Sequence, residues 1–171
     1  MGAGHVDYHE AGHAVIAHAE LLVPKVASIV PDADGLTLGH AEYARRFRIR
    51  PDLSPHRAVR LRFEPRILTC FAGVIAERKA SGGRRHNWIG AQWDLDLATE
   101  MLMYGAGSDR QLQALSKYLW VTAEDAVEIH WREIEQVAAA LREHGTLDAE
   151  GIDRAILGPA WRPLRVGGLT A

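Results

Sequence analysis

The stretch Tyr8-His9-Glu10-Ala11-Gly12-His13-Ala14 decides how the rest of the chain is read. It contains His-Glu-x-x-His, the spacing that builds a zinc hydrolase site on a helix. One helical turn takes 3.6 residues, so His9 and His13 point to the same side and can share one Zn²⁺. Glu10 then lies beside the ion, where a carboxylate can take a proton from water as it attacks a carbonyl. The neighbours Ala11, Ala14, Val15, Ile16 and Ala17 make the helix apolar on most sides, so it reads as buried rather than as a surface helix with two unrelated histidines. Two buried imidazoles and a carboxylate without partners are costly, and a metal removes that cost. Gly12 inside the helix marks a close approach by another element.

Working outward, this helix is expected from about Val6 to Leu22, ending before Pro24. Val26 to Val30 is β-branched and flanked by prolines and reads as a strand. Residues 31–35 form a turn, and Leu36 to Tyr43 is the returning strand of a small hairpin. Eight arginines lie between Arg45 and Arg66, a run that reads as a solvated face with an anionic partner as the functional alternative. Ile67, Cys70, Phe71, Val74 and Ile75 follow helical spacing, in a helix starting near Pro65 or somewhat earlier and stopping at Ser81-Gly82-Gly83. Cys70 on that stripe is a core filler. Residues 84–89 read as a polar loop. A helix from about Gly90 to Tyr104 carries Leu97, Met101 and Tyr104 on one face, with Met101 and Met103 as core or lining residues. A short helix over Leu112 to Tyr118, a long one from Ala123 to His144 and a last one capped by Asp148 follow. Residues 1–160 form one domain, and 161–171 a tail.

Composition narrows the function. With 47% apolar and 25% charged residues the chain is an ordinary globular protein, and a net charge of −2 gives no global field for nucleic acid. A single cysteine excludes an intramolecular disulfide. No apolar run reaches the ~20 residues of a transmembrane helix, and the first residues lack the pattern of a signal peptide, so a cytoplasmic location is expected. Lys25, Lys79 and Lys117 follow Pro24, Arg78 and Ser116, so no Gly-Lys-Ser/Thr phosphate loop exists.

Catalytic zinc takes three protein ligands and leaves one position open. Candidates for the third are Glu77, His86, Asp94, Asp96 and Glu100. Asp94 and Asp96, two apart on a helix, face different ways, so only one can reach the ion. Spacing does not choose among the five.

Val6-Asp7-Tyr8-His9-Glu10-Ala11-Gly12-His13-Ala14-Val15 resembles the HEAGHA signature of the peptidase domain of FtsH, a membrane AAA+ metalloprotease. Val23-Pro24 through Pro31 resembles that family's strand and proline pair. Phe71-Ala72-Gly73-Val74-Ile75-Ala76-Glu77 is similar to its AGxxAE segment, and Gly90-Ala91-Gln92-Trp93-Asp94-Leu95-Asp96-Leu97-Ala98-Thr99 to its GAxxDxxxAT segment. Ile134 to Leu147 resembles its final helix and following Leu-Asp. The likeness runs in order from Val6 to Ile156. It implies a mainly α (α+β) FtsH-peptidase-like domain with a small β-hairpin near the zinc helix, Asp94 as third zinc ligand beside His9 and His13, Glu10 as the catalytic acid/base, and Glu77 as a supporting hydrogen-bond partner. It further implies a zinc metalloendopeptidase that takes flexible polypeptides along the Leu38 to Tyr43 edge; the missing phosphate loop departs from the family and makes a stand-alone, ATP-independent enzyme the expectation, with a homo-oligomer and a separate AAA+ ATPase as partners to be considered. Gln92 and Trp93 depart from the smaller or more polar residues usual in the family. The competing reading is a metal-bound, catalytically inactive module for binding or regulation, derived from a peptidase.

Overall fold

The computed structural model describes residues 5–31, 39–43, 56–83 and 88–159. Among these residues six helices and three short strands follow in the order α1 (Val6–Ala19), β1 (Pro24–Ser28), β2 (His40–Tyr43), α2 (His56–Ala80), α3 (Trp88–Gly105), α4 (Asp109–Ile129), α5 (Trp131–His144), β3 (Thr146–Asp148) and α6 (Ala149–Leu157). The chain is mainly α with a small antiparallel sheet, as the sequence implies. The turn expected at 32–35, the strand at 36–38, the first part of the loop at 84–87, the arginines from 45 to 50 and the tail after 160 lie outside the described residues, while Trp88 and Ile89, expected in that loop, open α3.

α2 is the axis of the fold, with α1, α3 and α4 all packed on it. It begins at His56, nine residues before the Pro65 that reads as a start signal. Pro65 lacks an N–H and sits inside the helix, where the turn is held by the Thr69 hydroxyl donating to the Pro65 carbonyl at 2.9 Å. The preceding turns are polar, but Val59 is fully buried and Arg60 pairs with Glu64 one turn on, at 3.3 Å. Around α2 the core gathers Ile16, Ile67, Leu119, Ile134, Leu141 and Ile152, all fully buried.

Three further departures have local causes. The apolar stripe runs Leu119, Ala123, Val127, Ile134, Ala138, Leu141 at unbroken helical spacing, so the sequence shows no break. The chain nevertheless turns at His130 (φ −99°, ψ 18°), and the short helix expected over 112–118 is the first half of the 21-residue α4. That helix begins at Ser108, whose hydroxyl caps the Gln111 N–H at 3.3 Å. On α3 only Met101 of the expected face is buried; Leu97, Met103 and Tyr104 are exposed. Finally, α5 closes at Gly145, whose φ of +74° suits glycine, and the chain then adds the unforeseen β3.

The sheet order is β2-β1-β3. Ala27 of β1 faces Ala41 on one side and Leu147 on the other, so the hairpin expected from sequence is the outer part of a three-stranded sheet. Among the described residues β2 is an edge strand. Among the described residues no helix is long and apolar enough to cross a membrane.

Candidate metal centre

His9, Glu10 and His13 sit on the buried face of α1. Gly12 lets that face lie on α2: a Cβ there would fall 2.7 Å from the Ala72 carbonyl oxygen and 2.8 Å from the Ala76 Cβ. Gly73 of α2 lies under His13, where a Cβ would be only 2.4 Å from Nε2. Both glycines mark the close approaches that a glycine inside a helix signals. The far end of the helix start is fixed by a stack in which Tyr8 lies on Trp131 (centroids 5.5 Å apart, 13° between planes), with Lys79 4.4 Å from the Trp131 ring and Arg142 paired to Asp7.

α3 brings Asp94 to the two histidines. Its Oδ2 lies 2.9 Å from His9 Nε2 and 3.1 Å from His13 Nε2, and the two Nε2 atoms are 3.0 Å apart. The outer nitrogens are already engaged: His9 Nδ1–H donates to Glu77 Oε2 at 3.2 Å, and His13 Nδ1–H donates to the Thr69 carbonyl at 2.8 Å. In the neutral rings both Nε2 atoms are therefore bare lone pairs facing each other and a carboxylate oxygen. Three acceptors at about 3 Å repel one another unless protons or a cation lie between them. Tetrahedral zinc, with bonds of about 2.0–2.1 Å, spaces its donors roughly 3.3 Å apart, close to the spacing here. Two imidazoles and one carboxylate are a zinc-type donor set, so His9, His13 and Asp94 could hold the ion.

The electrostatics agree. Burial alone pulls the His9 ring down, but its hydrogen bonds to Asp94 and Glu77 and the charge of Glu10 outweigh that and push it up to about 10. His13 is likewise opposed by burial and raised by the Asp94 charge and hydrogen bond. Burial raises Asp94, but His13 and His9 more than reverse this and hold it below the usual carboxylate range. A site that draws protons this strongly onto imidazoles draws a cation for the same reason.

Glu10 is buried, and burial raises its carboxyl above the ordinary glutamate value. Its Oε2 has no hydrogen-bond partner, and Gly39, at the entry to β2, packs on the other oxygen, where a Cβ would lie 2.9 Å from Oε1. Of the four candidates for a third ligand among the described residues, only Asp94 meets the Nε2 atoms of the histidine pair. Glu77 reaches His9 from behind, at Nδ1, and its Oε1 is unpartnered. Asp96 turns away and accepts from the Gln92 side chain at 2.7 Å, Glu100 is exposed, and His86 is outside the described residues. Two contributors have no sequence signal at all: the Thr69 carbonyl is backbone, and Gly39 is recognisable only once β2 is laid against α1.

No family model matches the chain. It is similar to the "ATP-dependent zinc metalloprotease FtsH 2" of Sphaerobacter thermophilus, 29% identical over 191 aligned positions that cover 94% of this chain and 28% of that protein. The chain thus spans less than a third of that relative's length. The likeness supports relatedness to the FtsH proteins over that stretch.

Proposed function

We propose that the chain is a zinc-dependent endopeptidase that hydrolyses peptide bonds of flexible or unfolded polypeptides. The observation that carries this reading is the meeting of His9 Nε2, His13 Nε2 and Asp94 Oδ2 within 3.1 Å of one another, beside a buried Glu10 with an unpartnered oxygen. Zinc, when bound by these three atoms, supplies Lewis acidity that polarises a carbonyl and acidifies a water. Glu77 and the Thr69 carbonyl fix the ring tautomers so that Nε2 of each histidine stays free to ligate. Glu10, buried with one oxygen unpartnered, takes the proton of the attacking water and returns it to the leaving amine nitrogen as the C–N bond breaks. A substrate in extended form would add as a further strand to the outer edge of β2, which the Gly39 contact sets next to Glu10.

The relative's name attaches ATP dependence to a protein of which this chain covers 28%. Lys25, Lys79 and Lys117 form no phosphate loop, so within this proposal an AAA+ ATPase outside these residues unfolds structured substrates, and assembly into a homo-oligomer belongs to the same proposal. The single, buried Cys70 suits a reducing, cytoplasmic setting. Glu10→Gln tests the core of the reading. The variant should bind one equivalent of zinc like the parent and cleave casein about 100-fold more slowly or not at all. Undiminished cleavage would remove Glu10 from the role.

A further inference from the structure

α1 and α3 both lie against α2 and meet through Asp94 and the two histidines, so the donor cluster sits above a common floor. α3 continues past the cluster as a rim. At about 100° per residue, Trp93 lies about 100° to one side of Asp94, and Leu97 and Tyr104 lie about 60° and 80° to that same side. The opposite flank of α3, with Ala98 and Leu102, is buried in the core. The rim residues are instead open: Trp93 is 77% exposed, Leu97 47% and Tyr104 40%. Tyr104 alone has an aromatic neighbour, Phe63, at 6.4 Å. Among the described residues Trp93 stacks on no ring. An indole left in water beside Asp94, with a leucine one turn on, is an apolar surface that packs no core among the described residues.

We propose that Trp93 and Leu97 form a specificity surface that receives a large apolar side chain of the substrate polypeptide close to the scissile bond. This rests on the peptidase reading above. The occupant follows from position: Trp93 is the chain neighbour of Asp94, about 3.8 Å away from Cα to Cα. An extended chain advances about 3.3 Å per residue, so a polypeptide whose carbonyl lies over the cluster passes Trp93 within two or three residues. An indole and an isobutyl group offer area for an apolar side chain and no donor array for a charged one. The surface therefore selects by apolar size.

The test uses ten-residue peptides of Gly, Ser and Ala bearing one Phe at each position in turn, with an all-Ser reference. The zinc-loaded protein should cleave at a fixed offset from Phe, and Trp93→Ala and Leu97→Ala should each lower kcat/KM for the best Phe peptide about tenfold while flattening the preference for Phe. In parallel, zinc-loaded Glu10→Gln is titrated with the fluorescein-labelled Phe peptide by anisotropy, with and without Trp93→Ala; the added substitution should weaken binding about tenfold. If the parent cleaves nothing but Phe-dependent binding through Trp93 persists, the peptidase reading falls and the surface stands as a peptide-binding one. A Phe preference indifferent to Trp93 and Leu97, or no Phe preference in either assay, overturns the proposal. So does sedimentation showing that Trp93→Ala dissociates an oligomer while peptide preference is intact, because the face would then join copies of this chain.

Discussion

Gly73→Ala separates the metal centre from the stability of the fold. The added methyl would stand 2.4 Å from His13 Nε2 and 2.5 Å from its Cε1. Non-bonded heavy atoms settle at about 3.5 Å, so the ring must retreat by about 1 Å. It is held on its other side by the 2.8 Å hydrogen bond from Nδ1 to the Thr69 carbonyl, on the same helix as Gly73. A 1 Å retreat breaks that bond, a loss of about 1 kcal/mol. Replacing glycine by alanine inside α2 returns about 1 kcal/mol of helix propensity. Folding stability of the metal-free protein should therefore change by less than about 2 kcal/mol. Zinc affinity should not survive, since ligand positions are tolerated only within about 0.2 Å. We expect a loss of at least about 100-fold, equivalent to about 2.8 kcal/mol. Competition against a fluorescent zinc chelator gives the affinity, and urea unfolding of the chelated protein gives the stability. A variant binding zinc within threefold of the parent would refute the placement of His13 Nε2 over Gly73.

Further outcomes follow from other contacts. Gly12→Ala meets backbone, the Ala72 carbonyl at 2.7 Å, which cannot swing aside, so α1 must lift from α2; urea unfolding should show a loss of about 1–3 kcal/mol despite the better helix former. Glu77→Gln removes the charged acceptor behind His9 and buries an amide where Oε1 now has no partner; chelator competition should show zinc bound about 10–100-fold more weakly. In the metal-free protein the His9 pKa rises from 6.5 to about 10, and His13 and Glu10 are raised too. Protons on these groups thus favour the folded state: the contribution from His9 is complete below about pH 6.5 and is lost as pH climbs through 10. Asp94, lowered, acts the other way and only in acid. Urea midpoints of chelated protein should fall between pH 6.5 and 10, whereas zinc affinity should grow over that range because binding displaces protons; a flat or rising midpoint without metal would contradict the cluster's charge balance.

The parts of this architecture legible in the sequence are those that repeat or punctuate. The motif places His9, Glu10 and His13 on one buried helix, and glycines 12 and 73 announce the contacts beneath them. Asp94 needed more than spacing. Its selection over Asp96 depends on which way α3 is turned against α2, a tertiary fact, and the family likeness pointed to the residue that meets the histidines. The rotation of α3 also explains the misread face: Leu97 and Tyr104 share a side with Met101 by period, but the inward direction lies nearer Ala98 and Leu102. Pro65 reads as a helix start, yet the preceding turns stay helical because Val59 is buried and Arg60 pairs with Glu64. The turn at His130 has neither glycine nor proline to mark it, and the apolar period runs straight through. Three residues of β3 carry too little pattern to stand out without their partner β1.

Because the donors come from two helices that each lean on a third, a cation at this spot would act as a rivet between segments some eighty positions apart in the chain. Chelation should then do more than silence a reaction. It should loosen α3 as a unit, so that amide exchange quickens there before it quickens in α5.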